Sequence, residues 1–142
     1  MVRHKVALTR HQIRELAFQT LFALNANKQT NKEDFFVVLT DGQYGDEYPK
    51  YLDQLTSGVV ANKEELDNLI EKYLKSDWSI NRIAKTDLII LEIALYEMLH
   101  VDDLPPKVSI NEAIELAKKY SDDRSRKFVN GILSHALEEL VK

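Results

Sequence analysis

The chain has 142 residues, of which 44% are hydrophobic and 30% charged, with a formal net charge of −4; that is enough chain for one ordinary core, and the balance is that of a globular protein. It contains no cysteine, which excludes a disulfide framework, a thiolate metal site and a cysteine nucleophile. The longest apolar stretch, Leu88 to Leu99, is interrupted by Glu92 and Glu97 and is too short to span a bilayer; Met1 to Thr9 lacks the apolar run of a signal peptide, so a cytoplasmic chain with no membrane association is expected.

The pattern predicts helices throughout. Thr9 and Gln12 fit a capping box, and Ile13, Leu16, Ala17, Leu21 and Leu24 follow on one helical face, widened by Phe18 and Phe22. The pattern fades over Asn25 to Asn31, and a short second helix is predicted over Lys32 to Leu39. Thr40 to Pro49 is the main loop, with the turn dipeptides Asp41-Gly42 and Gly45-Asp46. From Lys50 a helical face resumes through Tyr51, Leu55 and Val59. Gly58 inside it predicts the close passage of another helix, since glycine there costs about 1 kcal/mol relative to alanine. Asn62 and Glu65 suggest a second capping box and a break, after which Leu66, Leu69, Ile70 and Tyr73 extend the pattern to about Lys75.

Trp78 and Ile80 are expected to anchor the next connection. Thr86-Asp87 should open a helix over Leu88 to His100, apolar on nearly every side and therefore the buried centre. Pro105 and Pro106 stop it. Ser109 and Glu112 suggest a third capping box for a helix carrying Ile110, Ala113, Ile114, Ala117 and Tyr120. Asp122 or Asp123 should cap the last helix, with Val129, Ile132, Leu133, Ala136 and Leu140 facing inward. The expected architecture is all-α, about seven helices in one domain over 1–142, with the loop at Thr40–Pro49 marking off a small N-terminal helical unit packed on a larger C-terminal one.

Sites for chemistry are scarce. Four glycines leave no dinucleotide-binding or phosphate-loop pattern, the histidines at 4, 11, 100 and 135 form no paired metal ligands, and no nucleophile elbow is present. No catalysis, cofactor or metal is expected. The charge distribution is more telling. Arg3, Lys5, Arg10, Arg14 and Lys28 face only Glu15 within residues 1–28, whereas residues 29–104 hold most of the acids. One basic end on an acidic body fits a local polyanion site, but charge alone favours a solvated N-terminal arm.

The run from Pro105 to Leu133 holds an oddity: Lys127-Phe128-Val129-Asn130-Gly131 sets an amide and a glycine in mid-helix. The structural expectation is that Gly131 lets the Ile110–Tyr120 helix pack closely and that Asn130 bonds a buried group such as Asn111 or a loop carbonyl. Taken together, V-S-I-N-E-A-I-E-L-A-K (Val108 to Lys118), K-F-V-N-G-I-L (Lys127 to Leu133), L-E-I-A-L-Y-E (Leu91 to Glu97) and T-R-H-Q-I-R-E-L-A-F-Q-T-L-F (Thr9 to Phe22) resemble the bacterial transcription antitermination factor NusB family, in order over nearly the whole chain.

That resemblance implies a protein that pairs with a small-subunit ribosomal protein (NusE), binds the single-stranded boxA element of ribosomal RNA leaders, and joins the complex that keeps RNA polymerase from terminating. It implies RNA-binding roles for Arg10, His11 and Arg14 in the first helix, with His11 departing from the family's usual arginine and Arg3 and Lys5 compensating from the arm. Arginine suits phosphate because its planar fork bonds two oxygens at once. Lys127 and Phe128, with Arg124 nearby, would form a second RNA-facing region; for Phe128 base stacking and core packing both stay open, and Gln19 is read as a solvated amide. The ribosomal-protein surface would lie over Arg82, Asp87, Leu91 and Glu92, with helix capping as the other role for Asp87. Two other readings stand beside this one: a protein-interaction module using the acidic face with little RNA binding, and an RNA cytosine methyltransferase, to which NusB-like domains also occur fused and for which this chain has neither the nucleophile nor room for a cofactor domain.

Overall fold

The computed structural model describes residues 7–140. Seven α-helices and one 3₁₀ turn, with no strand, occur among them: α1 Arg10–Ala26, α2 Lys32–Leu39, α3 Lys50–Ala61, α4 Lys63–Lys72, the turn Ile80–Arg82, α5 Lys85–His100, α6 Pro106–Tyr120 and α7 Asp123–Leu140. The predicted helix over Lys32–Leu39 is found with those bounds. The chain divides into two compact units inside α3, between Thr56 and Ser57, and not at the preceding loop. No break signal stands at that point, because α3 runs on unbroken through it.

In the first unit, α1 starts at the expected capping box: Gln12 N donates to Thr9 Oγ1 (3.1 Å) and Thr9 N to Gln12 Oε1 (2.8 Å). Each bond satisfies a backbone donor that the helix start would leave free. α2 packs against α1 and is capped by Asn31, whose Oδ1 accepts from Asp34 N at 2.9 Å. The Phe36 ring, fully buried, meets Tyr48 edge-on at 5.6 Å, and Lys32 Nζ reaches Asp53 Oδ1 at 2.7 Å, joining α2 to α3. The loop between them turns through positive φ at Asp41 (53°), Gly42 (69°) and Gly45 (71°), a conformation glycine adopts freely.

The second unit is built around α5, which is buried from Asp87 to Glu97 and packs with α4, α6 and α7. Gly58 behaves as its position predicted: a Cβ there would clash with Cζ, Cε1 and the hydroxyl of Tyr96, so glycine lets α3 approach α5 with the ring where it is.

Three predicted caps are differently realised. Asn62 does mark the break between α3 and α4, but its Nδ2 donates back to Gly58 O (2.7 Å) and it caps no N–H. α5 begins at Lys85 with no side-chain cap, so Asp87 is not a cap. α6 begins at Pro106, which uses proline's fixed φ in the first turn; Ser109 is buried within the helix and starts nothing. Asp122 caps α7, its Oδ1 accepting from Ser125 N at 2.9 Å.

Candidate nucleic-acid interface

The first unit carries a basic helix start. Capping fixes Arg10 and His11 in the exposed first turn of α1, which has no acidic residue. The free N–H groups and dipole of a helix N-terminus favour an anion there. Arg10 is exposed, and its guanidinium carbon lies 3.6 Å from the centroid of the Tyr51 ring. Arg14 is otherwise placed. One turn further on, it is only 3% exposed, because that face of α1 also carries the buried Ile13, Ala17 and Phe18. The expectation that Arg10 and Arg14 form one phosphate-facing pair is therefore corrected: Arg10 faces solvent and Arg14 does not. Gln19, expected to be solvated, is half-buried beside a groove of about 360 Å³ that Gln12, Glu15, Thr40, Asp41 and Tyr44 also line. Arg3 and Lys5 lie outside the described residues.

The second unit carries the other predicted residues. Lys127 and Arg124 are exposed on the first turns of α7, and Arg126 pairs with Asp123. Phe128 is half-buried and lies against Trp78, ring centroids 6.4 Å apart at 31°. It is thus neither a core residue nor a free ring. Trp78, expected as an anchor, is 44% exposed. Asn130 is exposed and accepts from Ser134 Oγ at 3.2 Å; it bonds no buried group of α6. Gly131 has nothing within 4 Å of a built Cβ, so it does not admit α6. Both expectations for this pair fail for one reason: Val129, Ile132, Leu133 and Ala136 occupy the inward face of α7, which turns 130 and 131 outward. Together Tyr73, Lys75, Trp78, Lys127, Phe128 and Gly131 line a surface cleft of about 300 Å³.

Of the four residues expected to face a protein partner, only Arg82 is exposed. Leu91 is fully buried, Asp87 and Glu92 nearly so, because α4, α6 and α7 cover the helix that bears them. Asp87 Oδ2 accepts from Ser125 Oγ at 2.9 Å, and Ser121 Oγ donates to that hydroxyl at 2.6 Å. Burial holds the Asp87 carboxyl above its ordinary value against the pull of these hydroxyls. Glu92 meets Lys63 Nζ at 2.8 Å, and Lys63 also reaches Asp67 at 3.1 Å. Burial, then the neighbouring Asp67, pushes the Glu92 carboxyl up; Lys63 opposes this. These carboxyl groups bond from helix to helix and are buried. No group of three or more metal-ligating side chains occurs among the described residues, and none of their helices is long and apolar enough to cross a membrane.

Sequence reasoning missed Tyr51 beneath Arg10 and Trp78 beside Phe128. The signal for Trp78 was present: a tryptophan in the polar run Lys75-Ser76-Asp77-Trp78-Ser79, off any helical apolar face.

Comparison with known proteins gives a consistent result. The family model described as the NusB family matches residues 11–138. The transcription antitermination protein NusB of Levilactobacillus brevis is 52% identical over 136 residues, covering 94% of this chain and 96% of the relative. The solved structure of T. maritima NusB superposes with a TM-score of 0.77 at 33% identity, covering 94% of each chain. A structure of antitermination factors NusB and NusE in complex with dsRNA matches with a TM-score of 0.74 at 26% identity, covering 93% of this chain and 99% of the other.

Proposed function

The chain belongs to the NusB family of transcription antitermination proteins, and on that premise we propose that it acts by binding, as one RNA-binding domain, and not by catalysis. Its ligand is the single-stranded boxA element of ribosomal RNA leader transcripts, taken together with a small-subunit ribosomal protein equivalent to NusE. The assembly acts in the cytoplasm, where it helps RNA polymerase read through terminators. The observation that carries this reading is the pairing of exposed Lys127 with the accessible ring of Phe128 on α7. A cation for phosphate beside a ring for a base is the chemistry of single-strand binding. Arg10 and His11 at the start of α1 supply a second cationic contact, Arg124 adds charge near Phe128, and Arg82 is the protein-partner candidate that remains exposed.

Fluorescence anisotropy of a labelled boxA-like single strand tests it, with and without the ribosomal protein and against a scrambled strand. Preference for boxA, strengthened by the ribosomal protein, is expected; equal binding to both strands would sink the sequence-specific reading. The burial of Arg14 favours one alternative, a protein-interaction module with little RNA binding of its own. It predicts ribosomal-protein binding with no RNA dependence in the same titration.

A further inference from the structure

We propose that the cleft between Trp78 and Phe128 is a nucleobase site in which Trp78 supplies a stacking face; this rests on the RNA-binding reading above and adds a residue to it. Trp78 is the sole tryptophan of the chain, and it is left 44% exposed. A turn closed by its own N–H donating to Lys75 O at 2.8 Å holds it, so the ring is positioned without being enclosed. Its neighbour Phe128 stands 6.4 Å away and tilted by 31°. The two rings therefore meet at an angle in the lining of the cleft and do not pack flat on one another.

Two further observations point to a base as the occupant. Lys75 and Lys127, both exposed, line the cleft, and no acidic residue does among the described residues; that charge suits a phosphodiester strand on either side of a base stacked there. Gly131 also lines the cleft, with open space where a Cβ would be. A mid-helix glycine is a poor helix former, and no close packing explains this one, but its missing side chain leaves the cleft unobstructed. Aromatic faces flanked by cations bind single strands because every base has a π-face to stack. An acidic or aromatic peptide would use some of the same groups, and the test separates it.

The sole tryptophan makes the site self-reporting. The full chain is titrated with an end-labelled boxA-like strand while anisotropy and tryptophan emission are both followed. Saturable change of Trp78 emission that tracks anisotropy is expected. Trp78→Ala should weaken binding about tenfold or more, and Trp78→Phe much less. Replacing the strand's nucleotides one by one with abasic ones should find one position whose loss matches that of Trp78→Ala and is not additive with it. Gly131→Leu, which puts a side chain into the cleft and leaves the Trp78 residue itself in place, should weaken binding likewise, with circular dichroism showing both variants folded. RNA binding with unchanged Trp78 emission, or with Trp78→Ala equal to wild type, overturns this site and leaves the RNA reading standing. Displacement of the emission change by an acidic peptide that leaves the RNA bound also overturns it. No anisotropy change for any strand overturns the RNA reading itself, and this site with it.

Discussion

The Arg10 guanidinium lies over the Tyr51 ring, its carbon 3.6 Å from the centroid. A guanidinium over a ring is held by the ring face and keeps N–H donors for oxygen acceptors. The ring thus limits the side-chain freedom that a phosphate contact would otherwise have to remove. Arg10→Ala is expected to weaken RNA binding and to reduce the slope of log affinity against log salt by about 0.7, the value for one phosphate on a single strand. Arg14→Ala should behave differently. Its side chain is buried, so the variant loses thermal stability while its salt slope stays that of wild type. Titrations at several salt concentrations, with melting curves for both variants, check the contrast.

Gly58→Ala tests the approach of α3 to α5. Alanine is the better helix former by about 1 kcal/mol, but its methyl group would clash with Cζ, Cε1 and the hydroxyl of Tyr96. Overpacking of this kind costs about 1–3 kcal/mol; here the obstruction is a buried ring, so the net effect is expected to be destabilising. Denaturant unfolding measures it. Combining Gly58→Ala with Tyr96→Ala should remove most of the clash, giving a strongly non-additive pair.

The elements were legible where physics acts locally. Thr9 and Gln12 sit three residues apart and bond each other, and the run Leu88 to Leu99, apolar on nearly every side, has to be buried wherever it lies. Gly58 was legible too, because a glycine inside an apolar helical face admits a neighbour. Gly131 misled because the same reasoning applies only on an inward face, and one-residue differences in helix phase decide which face that is. Arg14 misled for the same cause: Arg10 and Arg14 share a nominal face, yet the buried sector of α1 begins between them. The carboxylates of α5 read as surface because charge normally stays in water; their partners, Ser125 for Asp87 and Lys63 for Glu92, come from distant helices. No spacing in the sequence announces such pairs, and Trp78 with Phe128 is another, fifty residues apart.

Glu92 gives a pH-dependent prediction. Burial first, and then Asp67, raise its folded value above 4.5. The unfolded chain then loses this proton at lower pH than the folded one. As pH rises from about 4.5, the folded state binds more protons than the unfolded state, and stability contributed by the protonated group is lost. Glu92→Gln cannot titrate, and its amide oxygen can still accept from Lys63. The melting temperature of Glu92→Gln relative to wild type should therefore climb between about pH 5 and neutrality, by a few degrees for a chain of this size. A gap that stays constant or shrinks over that range would mean that Glu92 is ionised in the fold at all these pH values.

Gly131→Ala should change stability in the direction opposite to Gly58→Ala. Both glycines lie inside helices, in α7 and α3 respectively. At Gly131 a Cβ meets nothing within 4 Å, so only the backbone effect remains: alanine restricts the unfolded chain and favours the helix. The expected gain is about 1 kcal/mol, read as a shift of the denaturant midpoint with an unchanged slope. Paired with the Gly58 variant in one unfolding experiment, it separates two uses of glycine, since admitting a neighbouring helix makes the substitution costly whereas keeping a surface cleft clear makes it favourable to the fold. Loss of stability in Gly131→Ala would show that residue 131 is packed after all, and would return it to the helix-locking role that its sequence context suggested.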